Sequence, residues 1–155
     1  MKLGRASVAL VASALLLTSC SFPAWEQRQG GAAIQRNGND LVIALCKSIV
    51  ADTALMGERN VEEDIDWSEF WSFRDGGELN EGALLSTDPA LSPPFPDEVR
   101  RQPRLHPGDG IEVLLSEDGG SAIHAIFKIR PEGLSESEWL QADGSVSSSP
   151  CSSPN

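Results

Sequence analysis

Residues 107–130 read PGDGIEVLLSEDGGSAIHAIFKIR, and the alternation inside this stretch sets the expectation for the fold. Apolar side chains fall at every second position from Ile111 to Ser116 and again from Ser121 to Arg130, with Glu117-Asp118-Gly119-Gly120 between the two runs. A period of two interrupted by a Gly-rich turn is the signature of a β-hairpin. Ile111, Val113 and Leu115 share one face of the first arm, and Ile123, Ala125, Phe127 and Ile129 share one face of the second. Both arms therefore offer an apolar stripe to one core. The opposite face carries Glu112, His124 and Lys128 with Leu114 and Ile126, so His124 reads as a surface-strand histidine and not as a catalytic one.

Working outward, Asp88 to Pro107 contains six prolines together with Arg100, Arg101 and Arg104. Such a segment is not regular helix, and it reads as a connection crossing from one sheet to another. The arginines are expected to neutralise the acidic surface around them, with an anion patch as the alternative; His106 has no ligand-type partner at a motif spacing. Further upstream, Leu41 to Val50 reads LVIALCKSIV, apolar on both alternating faces, as in a strand at the middle of a sandwich; a helix capped by Asp40 is the rival. A turn near Ala51-Asp52 and a second strand from Thr53 to Arg59 follow. Asp75-Gly76-Gly77 is a turn signal, and Glu78 to Ser86 a weak strand. Ser135-x-x-Glu138 has capping-box spacing, so a short helical turn is expected to press Trp139 or Leu140 onto the sandwich edge.

Residues 58–69 concentrate Glu58, Glu62, Glu63, Asp64, Asp66 and Glu69. Calcium favours clustered carboxylate oxygens, and Asp64, Asp66 and Glu69 are the weak candidates for a cation site. The spacing fails the EF-hand pattern, because the fifth and sixth positions from Asp64 are Ser68 and Glu69. A solvated acidic loop is the plainer reading. Trp67, Phe70, Trp71 and Phe73 follow, the only aromatic concentration after the leader and its linker. Core packing is the expectation for them, with a sugar-stacking platform as the sharper alternative.

At the N-terminus, Lys2 and Arg5 precede an apolar run from Ala6 to Leu17 that is too short to span a bilayer, which takes about 20 residues. Leu17-Thr18-Ser19-Cys20 closes it and resembles the lipobox of bacterial lipoproteins. That resemblance implies removal of residues 1–19 and attachment of diacylglycerol to the Cys20 sulfur, optionally with an N-acyl chain, which anchors the chain to the cell membrane on its extracellular or periplasmic side. Residues 20–39 then form a flexible tether holding the domain about 25 Å from the lipid, with Phe22 and Trp25 as interfacial anchors. Assigning Cys20 to lipid leaves Cys46 and Cys151 as an even pair in a disulfide-permissive compartment; a buried thiol at Cys46 and a loose one at Cys151 is the other reading.

These elements predict an all-β protein: an immunoglobulin-like β-sandwich over residues 40–151 with one or two short helical turns, and a disordered tail over 152–155. From LVIALC through WSEFW and PGDGIEV to LSESEWLQADG and the last cysteine, the layout resembles small uncharacterised lipoproteins of high-GC Gram-positive bacteria. That resemblance brings no activity or binding residues with it. The net charge is −11, and loss of Lys2 and Arg5 with no acid makes it −13, which disfavours nucleic acid as a partner. No GxSxG, HExxH or SxxK motif occurs. The sequence therefore points away from catalysis and toward a membrane-anchored binding or structural module for an envelope protein or polymer. The alternative is a ligand or calcium receptor built on residues 58–69.

Overall fold

The computed structural model describes residues 30–59, 67–92 and 94–151. Ten strands follow in order: β1 Ala32–Asn37, β2 Asp40–Leu45, β3 Ile49–Arg59, β4 Ser68–Leu79, β5 Leu84–Ser86, β6 Val99–Arg100, β7 Gly110–Glu117, β8 Gly120–Lys128, β9 Trp139–Gln141 and β10 Val146–Ser147. They form two five-stranded sheets, ordered β10-β9-β1-β2-β5 and β6-β4-β3-β7-β8, with every pairing antiparallel. The inner faces of both sheets supply one core, in which Ile34, Leu41 and Ile43 of the first meet Met56, Trp71, Phe73, Ile111, Val113, Leu115 and Phe127 of the second. The architecture is the expected β-sandwich.

The β7–β8 hairpin has the arms and the inward stripe read from the sequence. Ile111, Val113, Leu115, Ile123, Ala125, Phe127 and Ile129 are all buried. Asp118 and Gly119 both have positive φ, 49° and 74°, as a two-residue type I′ turn requires to match the twist of the flanking strands. The segment between β5 and β7 does cross between sheets, since β5 lies at one edge of the first sheet and β6 at one edge of the second.

Five expectations are corrected. The tether expected over residues 20–39 does not extend through 32–37, because Ala32–Asn37 is a strand inserted between β9 and β2. Its alanines show why: Ala33 lies beside Ala44 on the outer face of the sheet, and Trp139 covers both. The run 41–50 is two strands, with the turn at Cys46-Lys47-Ser48 and not at Ala51-Asp52, which lies inside β3. Asp75-Gly76-Gly77 does not end a strand but forms a bulge within β4: the register passes from Ala51 opposite Gly77 to Thr53 opposite Arg74. Positive φ at Asp75 and Gly77 serves the bulge, so the residue chemistry was that of a turn and the sheet absorbed it. The remaining strand signal up to Ser86 is broken by a turn at Glu81-Gly82.

Finally, the described residues contain no helix, and Ser135 caps none. Its Oγ accepts hydrogen bonds from the Ser137 and Glu138 amides, at 3.1 Å each, and the chain passes directly into β9. Strand alternation then sends Trp139 to the outer face and Leu140 into the core.

A second bulge explains how three aromatic residues of β4 are buried together. Met56 pairs with Trp71 and Gly57 with Glu69, so Phe70 is an extra residue in the ladder. Phe70, Trp71 and Phe73 all enter the core. Trp67 does not; it is 43% exposed and its indole lies on Gly57, where a Cβ would sit 2.3 Å from Trp67 Cε2. Only glycine admits the ring that closely.

Cys46, just after β2, and Cys151, beyond β10, are joined by a disulfide with 5.3 Å between Cα atoms and 105 residues of separation. The bridge returns the C-terminal segment to the turn between β2 and β3.

Candidate functional site

One end of the sandwich is closed by the crossover from β5 to β7, and its construction starts from Glu98. The Glu98 Oε1 atom accepts hydrogen bonds at 2.5 Å from Trp71 Nε1 and from Arg100 Nε, while Oε2 accepts the Phe95 amide at 3.3 Å. Arg100 Nη2 completes the ion pair, and the Glu98 and Arg100 side chains are only 12% and 10% exposed. The guanidinium lies 4.7 Å above the Trp71 ring, and Phe95 stacks on Phe73 at 4.0 Å. Charge, cation–π contact and ring stacking thus nail a proline-rich segment to β4. Arg100, read from the sequence as a surface neutraliser, is instead an internal fastening; Glu98 and Phe95 were not singled out at all. The signal for them was present as the spacing Phe95-x-x-Glu98-x-Arg100, but only the fold shows that Trp71 needs a partner for its N–H.

Beyond β6 the backbone of the crossover is fixed by the strand ends it passes. The Arg101 amide donates to the Phe70 carbonyl at 2.6 Å, and the Arg104 amide to Glu58 Oε2 at 2.6 Å. Glu58, counted among the acidic cluster, therefore holds the crossover. On the other side stands the β1–β2 turn, where Gly38 takes a φ of +62°. Thr87 ties the two sides together: its buried hydroxyl accepts the Leu41 amide and donates to Asp40 Oδ1, both at 2.9 Å.

Two adjoining cavities open here and share Gln102 in their walls. The larger, about 680 Å³, is bordered by Asp40, Thr87, Ser92, Glu98, Arg100 and Arg101. Ser92 Oγ is buried and has no hydrogen-bond partner among the described residues, at a cost of about 1–3 kcal/mol. The smaller, about 280 Å³, is bordered by Arg36, Asn39, Arg104 and His106 as well as Gln102.

The other candidates sit elsewhere. Glu69 is in β4 and accepts the Ser72 hydroxyl at 2.6 Å. Asp64 and Asp66 lie outside the described residues, as do residues 1–29, Cys20 among them, and residues 152–155. Among the described residues no group of three or more His, Cys, Asp or Glu side chains is placed to hold a metal ion. His124 Nε2 is 2.8 Å from Glu112 Oε1 on the outer face of the second sheet, and neither residue borders the two cavities. Arg100 and Arg101 border the larger cavity and Arg104 the smaller, so the structure divides the three arginines that the sequence grouped.

No protein-family model matches the chain, and no curated protein or solved structure matches it either. The fold and the crossover define the class of protein as a disulfide-closed β-sandwich with a polar cleft at one end.

Proposed function

We propose that the chain is a lipid-anchored lipoprotein of the cell envelope whose sandwich is a non-catalytic binding module facing the extracellular or periplasmic side. The observation that carries the binding role is the cleft: a crossover tied down by Glu98 and Glu58 frames two open cavities whose polar side chains are only partly used for internal bonds. Fixed walls lower the ordering cost of binding, which is what a recognition site needs. Leu17-Thr18-Ser19-Cys20 and the Cys46–Cys151 bridge support the compartment, since disulfides persist where the environment is oxidising.

The test of the anchor is expression of the full chain in a bacterium fed labelled palmitate. Label and membrane fractionation are expected for the intact chain and their loss for Cys20→Ala; a soluble, unlabelled intact chain refutes the anchor. The non-catalytic reading is refuted by turnover in a hydrolase panel that a single substitution abolishes.

A further inference from the structure

We infer that the smaller cavity, between the β1–β2 turn and the crossover, binds an anionic group, a phosphate or a carboxylate, of an envelope ligand. The inference rests on the reading of the domain as a binding module and names the chemistry of one part of its cleft. Its ground is a local reversal of charge. The chain holds 23 acidic against 12 basic residues, yet this cavity is bordered by Arg36, Arg104 and His106, by the amide side chains of Asn39 and Gln102, and by no carboxylate. Every polar side chain in its wall can donate a hydrogen bond when the imidazole carries a proton.

The internal partners of these cations leave donors over. Arg36 uses Nε for the Gly38 carbonyl at 2.5 Å, and Arg104 has its Nε 3.7 Å from Glu58 Oε1. His106 approaches Asp109 through Nδ1 at 3.5 Å. In each arginine the contact is through Nε, so the two terminal nitrogens retain the fork that matches a carboxylate or phosphate edge. The Arg104 side chain is 75% exposed, so its long contact with Glu58 contributes little and does not compete strongly with a ligand.

The net negative charge opposes an incoming anion, but at physiological salt the Debye length is about 8 Å. Distant carboxylates are screened, whereas cations bordering a 280 Å³ cavity act within a few ångströms of its occupant. A volume of that size suits one charged group with the sugar or polyol that bears it. The larger cavity beyond Gln102, which adds Asp40 and Glu98 to Arg100 and Arg101, is mixed in charge and suits a neutral polyhydroxylated part of the same ligand.

The experiment uses the full chain in a non-ionic detergent, followed by backbone amide NMR. Titrations use inorganic phosphate, galacturonate, an oligogalacturonate and an uncharged oligosaccharide, each against sodium chloride of equal ionic strength. Saturable shifts at Asn39, Gln102, Arg104 and His106 with millimolar Kd are expected for phosphate and galacturonate, with tighter binding of the oligomer if the source is a polymer. Arg36→Gln and Arg104→Gln are each expected to weaken binding at least fivefold, and Arg36→Lys to weaken it less. Lys47→Gln, past the end of β2 opposite the β1–β2 turn, should leave Kd unchanged and serves as the charge control. Arg104→Gln retains the main-chain bond to Glu58, so a folded spectrum is expected. Equal shifts with chloride, or an unchanged Kd in both glutamine variants, overturn the inference. If the neutral oligosaccharide alone binds, at the larger cavity, the anion inference falls and the binding module stands. If no probe shifts a residue of either cavity, both fall.

Discussion

The β7–β8 hairpin and the β5–β7 crossover occupy the same domain and are held by different physics. In the hairpin, ladder bonds run from Gly110↔Lys128 to Glu117↔Gly120, and its inward side chains are simple hydrocarbons or Phe127. Its stability is spread over many interchangeable contacts. The crossover has only the two-residue β6 to pair with β4, and one carboxylate, Glu98, gathers Trp71, Arg100 and the Phe95 amide. Distributed contacts tolerate substitution, whereas a hub does not, and the cleft is framed by the hub.

The largest effect is expected from breaking the hub. Glu98→Ala leaves a nearly buried guanidinium and an indole N–H without their acceptor, and should lower unfolding free energy by about 3–5 kcal/mol in a denaturant titration. A loss below about 1 kcal/mol would show that the crossover, like the hairpin, is held by many contacts. Next, Cys46→Ser with Cys151→Ser is expected to cost about 2–4 kcal/mol, because the bridge closes a loop of 105 residues in the unfolded chain. The pair touches neither region, so hydrogen exchange should quicken by a similar factor in both when the variant replaces the wild type.

Within the hairpin the sensitive point is conformational. Gly119→Val places a β-branched residue at a φ of 74°, and a cost of about 1–3 kcal/mol is expected from thermal or chemical unfolding. Glu112→Gln, by contrast, alters only a partly exposed partner of His124, and a change of about 0–1 kcal/mol is expected at neutral pH. Should Glu112→Gln cost as much as Glu98→Ala, the distinction between ladder and hub fails.

The smallest effect comes from a side-chain staple in open water. The Asp143 carboxylate accepts hydrogen bonds from the Ser145 hydroxyl at 2.6 Å and the Ser145 amide at 2.9 Å, and these hold its pKa below the ordinary aspartate value. Its contribution is therefore fully present above the ordinary aspartate pKa of about 3.9 and disappears as pH falls through the lower folded-state value. An NMR titration of the Asp143 carboxyl should show the depressed midpoint, and Ser145→Ala should raise it. The same type of bond that organises the buried crossover here only trims an exposed turn, because solvent competes for it.

The contrast between the regions also governs what could be read in advance. The hairpin was legible because burial of one face imposes a period of two, and Asp118-Gly119 supplies the positive φ its turn requires. The crossover was legible as a crossover, from its prolines, but not as a fastening, since Glu98 and Trp71 are 27 residues apart and only the fold joins them. Strand β1 was hidden because two of its three buried residues are alanines, which carry little hydrophobic signal. Ala33 is small for a reason the sequence did not display: Trp139, more than a hundred positions later, packs on it and on Ala44. In the same way Ser135 offers the hydrogen bonds of a helix cap, and the alternation of Trp139 and Leu140 into a sheet overrides it.

Local physics, then, determined the all-β class, the hairpin and its inward stripe, the cysteine pair, and the net negative charge. These depend on periodicity, turn conformations and composition, all of which can be read without knowing which distant side chains pack together. Strand order, the two bulges that bury Phe70 beside Trp71 and carry Asp75 through β4, the seat of Trp67 on Gly57 and the positively lined cavity were decided by tertiary structure. Each requires residues distant in sequence to meet, and the energy that selects the meeting, burial of rings and pairing of buried charge, exists only once the two sheets have closed on one another.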